Sequence, residues 1–244
     1  VGLALRLEVV DGALAATRLF GAPIDSDIRA VDVALRPVFR AAAWMIFHGG
    51  LCFGILACAD FAPSLLAPGR IEHLLALPLR RWELLVGTWI GVVLLACAGA
   101  LYGAGGLAAI LGVKTGVWTL RPIAAALLAV AAFAAVYAVM LAIAILVRSA
   151  ALSAACGAAL FFAGILASYR AELLDFLDAG VVRTLVSGVS LLLPRIGSLA
   201  TMAGSIAGSE PVDGGALAAL LAGHGFFAIA VLALAVWHFE GKDF

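Results

Sequence analysis

Long apolar runs alternate with short polar segments along most of this chain. The runs cover residues 41–66, 84–113, 122–147, 150–168 and 215–238, and Asp60 is the one charged residue within them. An α-helix needs about 20 apolar residues to cross the hydrocarbon core of a bilayer, and each run has about that length. The pattern therefore predicts an all-α integral membrane protein, a polytopic helix bundle with five spans in this chain.

Two stretches interrupt this regular pattern. Residues 1–40 carry five arginines and five acids and have no run long enough to span. We expect turns at Asp11-Gly12 and from Gly21 to Pro23, then an amphipathic helix from Asp27 to Arg40 that leads into the first span. Residues 170–213 contain two apolar segments that are too short to cross, separated by Pro194-Arg195. They predict a re-entrant or interfacial helix pair.

Composition supports the membrane assignment and excludes some partners. Of the 244 residues, 65% are hydrophobic and 12% are charged, about half the charged fraction of a soluble domain. The net charge is zero, so no basic surface is available to bind nucleic acid. The cysteines lie inside apolar runs without metal-ligand spacing and are interpreted as small core residues: Cys52, Cys58, Cys97 and Cys156. The scattered methionines predict no metal path, and we expect no metal site or cofactor.

A charged, amphipathic segment, residues 67–83, lies between the first two spans. Its apolar positions recur at helical spacing, and Pro78 ends the short helix that they predict. Arg80, Arg81 and Trp82 follow where the next span enters the bilayer, a position that favours cations and amphipathic rings. A surface helix between two spans is a contact site for a soluble partner.

This segment carries a family resemblance. Its residues read Gly69-x-Ile71-Glu72-x-Leu74-Leu75-x-x-Pro78-x-x-Arg81, followed by Glu83-Leu84-Leu85-Val86-Gly87. The motif resembles the cytosolic segment of type-2 ABC exporter permeases, except that Arg70 stands where threonine is common. Its spacing is most similar to the permeases associated with copper-enzyme maturation operons.

The resemblance implies the membrane-spanning permease subunit of an ATP-binding-cassette exporter in the bacterial cytoplasmic (inner) membrane. A second copy or a paralogue would complete the substrate path, and ATP would be hydrolysed on a separate ATPase subunit, so that this chain is not an enzyme. Residues 1–40 and the helix pair would be extracytoplasmic. Six spans are expected in the full protein, with one lost upstream of Val1. The implied ATPase-coupling residues are Gly69, Arg70, Glu72, Leu75, Pro78, Arg80 and Arg81.

Three alternatives remain open. Asp60 is a carboxylate within a candidate span, and such groups often serve ion or proton transfer. It therefore suggests an ion-coupled secondary transporter, although Pro63 and Pro68 place it close to the aqueous boundary. A non-transporting membrane scaffold is the second alternative.

The third alternative is an enzyme. The residues Glu8-x-x-Asp11-Gly12 and Gly21-x-x-x-Asp25 resemble the metal-binding signature of the CDP-alcohol phosphotransferases. Glu8, Ala16 and Arg29 depart from that signature, and a cation in place of a ligand carboxylate should abolish the metal site.

Overall fold

A computed structural model describes residues 5–10, 13–19, 22–25, 29–67, 69–70, 80–177 and 180–241 of the chain. Within these residues, a small antiparallel sheet is followed by nine helices. The core of the ATPase-coupling segment, residues 71–79, lies outside the described residues.

The sheet was not predicted. Its strands are β1 (Leu5–Val10), β2 (Ala13–Leu19), β3 (Ala22–Asp25) and β4 (Arg29–Ala30). Strand β2 is central: it pairs with β1 along its length and with β3 and β4 on its other edge. Pro23, expected in a turn, lies in the edge strand β3, where the missing N–H costs no ladder hydrogen bond.

The helix that leads into the first span begins later than expected. Arg29 and Ala30 pair with β2, so helix α1 runs from Val31 to Cys58 rather than from Asp27. Pro37 lies inside α1. A short helix α2 (Phe61–Leu65) follows after a break. Together α1 and α2 form one candidate span, Asp32–Leu65.

The remaining helices end at recognisable signals. They are α3 (Arg81–Thr115), α4 (Arg121–Val147), α5 (Ala150–Ser168), α6 (Arg170–Asp175), α7 (Val181–Leu192), α8 (Ile196–Ala207) and α9 (Gly214–Glu240). Gly116 and Arg148 adopt left-handed conformations that end α3 and α4. The side chains of Ser149 and Asp213 accept backbone hydrogen bonds at the starts of α5 and α9.

The predicted fold class is confirmed. In the described residues, five helical segments are long and apolar enough to cross a membrane. The pair α7 and α8 bends by 53° at its break and becomes a sixth candidate if it is counted as one span. The spans predicted from residue 41 and from residue 84 correspond to helices that begin at Val31 and Arg81.

Helix α4 is the centre of the bundle and packs against α1, α3, α5, α8 and α9. Its most apolar window is 56% buried, compared with 11% for α3. Small residues allow this many neighbours to approach one helix closely. The alanines buried on α4 are Ala125, Ala126, Ala129, Ala132, Ala135, Ala138 and Ala144.

Candidate functional site

The predicted coupling segment connects α2 to α3 at one end of the bundle. Gly69 has a positive φ of 82°, a backbone conformation that residues with a Cβ rarely adopt. Arg70 and Arg80 are exposed on either side of the undescribed stretch. The predicted positions Glu72, Leu75 and Pro78 lie outside the described residues, so their roles stay predictions.

Helix α3 begins with a defined hydrogen-bonding pattern. The Glu83 carboxylate accepts a hydrogen bond from the backbone N–H of Arg80, with Oε2 and N 2.8 Å apart. This closes the first turn and places a negative charge where the helix dipole favours it. The expected coupling segment extended to residue 83, whereas residues 81–83 already form the first turn of α3.

Arg81 connects two helices of this chain. Its Nη1 donates to the backbone carbonyl of Glu240 at the end of α9, at 3.3 Å. Deeper in the bundle, the indole Nε1 of Trp89 donates to the carbonyl of Ala134 on α4, at 3.0 Å. A displacement of the start of α3 would therefore be transmitted to α9 and to the central helix α4.

The opposite end of the bundle holds a second polar cluster. Arg40 of α1 forms an ion pair with Glu210, which follows α8, and the Ser205 hydroxyl donates to Glu210 Oε2 at 2.9 Å. Arg121 at the start of α4 donates to the hydroxyl of Ser209, whose φ is 65°. These contacts tie the segment between α8 and α9 to the first turns of α4 and to α1.

A lateral groove separates α1 from α3, with α4 as its floor. Its main cavity has a volume of about 610 Å³, and a smaller cavity of about 330 Å³ shares Phe61 and Leu95 with it. The main cavity is lined only by apolar side chains and glycines among the described residues. Gly99 and Gly103 of α3 face open space, since an added Cβ would meet no atom within 4 Å.

Asp60 lies at the break between α1 and α2. It is exposed, and its backbone carbonyl accepts from Ser64 N at 2.9 Å. This break is at the end of the bundle that carries Arg70 and Arg80. The structure thus brings Asp60 to the same end as the coupling residues and away from the middle of a span.

Sequence reasoning did not single out two buried polar groups in the spans. His224 of α9 is 3% exposed, and its Nδ1 donates a hydrogen bond to the Leu220 carbonyl at 2.8 Å. Its Nε2 and the hydroxyl of Tyr137 on α4 have no hydrogen-bond partner in the described part of the chain. A histidine inside a long apolar run was the signal available for His224.

These features define a class: a polytopic helical membrane protein with a basic, helix-linking segment at one end and an apolar groove along its side. A family model described as ABC-2 family transporter protein matches residues 38–174, which are 137 of the 244 residues. The chain therefore belongs to the ABC-2 transporter family. Neither the curated proteins nor the solved structures provide a match.

The family assignment confirms the predicted resemblance at the level of ABC permeases. Members of the family are membrane transport components and are not themselves catalytic. The comparisons give no support to the copper-enzyme-maturation subgroup. Two of the residues that resemble the CDP-alcohol phosphotransferase signature lie in strands: Glu8 in β1 and Asp25 in β3. Asp11 and Gly12 of the same signature lie outside the described residues.

Proposed function

We propose that this chain is the membrane-spanning subunit of an ABC exporter, which forms a substrate path with a second copy or a paralogue and docks a separate ATPase. The observation that carries the proposal is the ABC-2 family match, whose limits 38–174 enclose the whole segment between α2 and α3. We place the complex in the bacterial cytoplasmic membrane, with this segment on the cytoplasmic side.

In this proposal the ATPase binds residues 69–83. Arg70 and Arg80 are exposed within this segment and would meet acidic groups of the partner. Arg81 contacts the end of α9, so we assign it to transmitting the motion rather than to docking. Closure of the ATPase pair would displace the start of α3, and its contacts with α9 and α4 would convert that displacement into rigid-body movement of helices.

The second copy would cover the face formed by α1 and α5. Trp44 and Met45 of α1 are 57% and 71% exposed, and Phe162 of α5 is 61% exposed. Helices α1 and α5 are neighbours, since the rings of His48 and Phe161 lie 6.1 Å apart. A two-fold pair joined at this face would enclose a path bordered by α1 and α5 of each copy.

Purification with a partner ATPase tests the proposal. We expect the wild-type chain, extracted gently from its native membrane, to retain a vanadate-sensitive ATPase identified by mass spectrometry. The double variant Arg70→Glu/Arg80→Glu should lose at least nine-tenths of this activity, because both charges would repel an acidic docking surface. Arg183→Glu, an exposed reversal on α7, is the matched control and should retain it. Equal retention by both variants would exclude docking through these arginines.

Asp60 distinguishes the exporter from an ion-coupled carrier. The carboxylate is exposed at a helix break, where interface water can hydrate it, so the exporter needs no proton transfer through it. We expect Asp60→Asn to change the ATPase activity of the reconstituted complex by less than about twofold, because the substitution removes no interaction on which ATP hydrolysis depends. A chain that copurifies with no ATPase and whose flux into liposomes is abolished by Asp60→Asn would instead be a carrier.

A further inference from the structure

The lateral groove between α1 and α3 extends along much of the membrane-spanning part of the bundle. On α3, the smaller cavity begins at Thr88 and the main cavity ends at Gly103. Between these two residues the helix rises about 22 Å, whereas one leaflet fills about half of the roughly 30 Å hydrocarbon core. The two cavities share Phe61 and Leu95. Together they are therefore long enough for a whole hydrocarbon chain.

The groove is apolar along its length and becomes slightly polar at one end. The smaller cavity includes two hydroxyl side chains, at Ser64 and Thr88. Ser64 Oγ donates to the Phe61 carbonyl at 3.0 Å, and Thr88 Oγ1 donates to the Leu84 carbonyl at 2.7 Å. Each hydroxyl proton is thus used within its own helix. An apolar cavity that offers no free hydrogen-bond donor does not hold ordered water, but it accepts hydrocarbon.

The gap between α1 and α3 is too narrow for another helix. These two helices contact each other, with Cα atoms within 8 Å. An α-helix with its side chains is about 10–12 Å wide, and packed helices keep their axes about 8–10 Å apart. A helix seated on α4 between α1 and α3 would have to force them apart. The width therefore favours a single hydrocarbon chain over a helix from a second copy of the protein.

Glycines leave unfilled space in both walls of the groove. Four wall positions are glycines at which an added Cβ would meet no atom within 4 Å: Gly49, Gly50, Gly99 and Gly103. Wall atoms beside a void lose dispersion contacts, and the candidate spans place this space within the hydrocarbon of a bilayer. Lipid chains are the apolar molecules present there in large excess, so they are the ligands available to fill it.

We propose that the groove is a binding site for one acyl chain of a bilayer phospholipid. The chain enters sideways from the membrane, and its polar head lies at the end of the groove that carries Ser64 and Thr88. The exposed Arg80 lies about 12 Å from Thr88 along the axis of α3, and a cation at the membrane surface attracts the phosphate of a lipid head. The inference needs the membrane spans but not the ATPase.

Photocrosslinking with a defined lipid tests the site. The wild-type chain would be placed in nanodiscs of phosphatidylcholine, a small fraction of which carries a diazirine near the end of one acyl chain. Mass spectrometry of the illuminated protein then locates the adducts. We expect adducts on the α4 floor at Ala129 and Phe133, which border the main cavity and are otherwise buried, at 7% and 3% exposed. Phe226 of α9, 76% exposed, reports ordinary contact with surrounding lipid.

Filling the groove should remove the floor adducts. Gly99→Leu and Gly103→Leu each add a side chain at the border of the main cavity. The floor adducts should fall about fivefold or more, because leucine would occupy the space of the lipid chain. Gly105→Leu is the matched control: its added Cβ meets nothing within 4 Å, and the position lies outside both cavities. Equal labelling of Phe226 in all four proteins shows that each variant is folded and embedded.

The outcomes decide between a lipid, a protein occupant and an empty groove. Wild-type protein that is labelled at Phe226 but at neither Ala129 nor Phe133 would overturn the site. Floor adducts that Gly99→Leu and Gly103→Leu leave unchanged would also overturn it. A disulfide between two copies at the substituted position of Gly103→Cys, formed in the membrane, would show that protein covers the groove instead of lipid. Absence of a copurifying ATPase would leave the lipid site intact, and missing floor adducts would leave the exporter proposal intact.

Discussion

At the scale of single residues, Gly164 of α5 makes room for the break between α7 and α8. A Cβ at this position would lie 2.7 Å from the carbonyl oxygen of Pro194 and 2.7 Å from the side chain of Ile196. Backbone atoms yield less readily than the end of a flexible side chain. Gly164 therefore fixes how closely α5 approaches the helix pair.

We expect Gly164→Ala to destabilise the protein by about 1–3 kcal/mol, the range typical of overpacking. Gly223→Ala on α9 is the matched control: nothing lies within 4 Å of its added Cβ, and alanine gains about 0.5–1 kcal/mol over glycine within a helix. Denaturation of both variants in detergent micelles measures the difference. Equal stability of the two variants would show that α5 and the break can separate without cost.

The contacts that single residues make across the bundle could not be predicted from the sequence. Arg70, Arg80 and Arg81 were predicted as one docking set, but the Nη1 atom of Arg81 donates to the Glu240 carbonyl, 159 residues away in the chain. Such a contact depends on how α3 and α9 pack, and neither helix carries a pattern that specifies it. The contact of the His48 ring with Phe161 of α5 likewise depends on how two helices pack.

At the scale of elements, apolar run length predicted the spans because each span must satisfy its own backbone within the bilayer. The sheet was missed although its signal was present. Leu5, Leu7 and Val9 alternate with Arg6 and Glu8 before Asp11-Gly12, which is the pattern of a hairpin. Val10 pairs with Ala13 across those two residues. Only the turn at Asp11-Gly12 was predicted from the sequence.

The segment between α8 and α9 supplies an element-scale prediction. Arg40 and Glu210 pair across 170 positions of sequence, and each side chain is about half exposed. Arg40→Glu should lower stability by about 0.2–1 kcal/mol, the range for exposed ion pairs, and Glu210→Arg should do the same. The double variant Arg40→Glu/Glu210→Arg should recover most of the loss, since it restores opposite charges.

Thermal unfolding of the four proteins in one detergent completes this double-mutant cycle. Asp32→Asn is the control, because the exposed ion pair of Asp32 with Arg36, at 3.9 Å, lies within α1 itself. Strictly additive losses in the cycle would show that the pairing of Arg40 with Glu210 contributes no coupling energy.

At the scale of the whole molecule, the two ends of the bundle have different architecture, and the proposed function assigns them to opposite sides of the membrane. One end of the bundle contains the segment between α2 and α3 and the C-terminal end of α9. The other has the ion pair of Arg40 with Glu210. Loop charge alone leaves the orientation open, because arginines occur at both ends. The proposed function assigns the first end to the cytoplasm, because the proposed ATPase would bind there.

Cysteine labelling tests that orientation directly. In a background with Cys52, Cys58, Cys97 and Cys156 replaced by alanine, Arg70→Cys and Pro211→Cys each place a single thiol at an exposed position. A membrane-impermeant maleimide added to intact cells should label Pro211→Cys and leave Arg70→Cys unlabelled until the membrane is opened. The unsubstituted alanine background controls for labelling elsewhere. Reversed labelling would place residues 69–83 outside the cell, where no ATP is available, and an exporter that docks its ATPase there would be impossible.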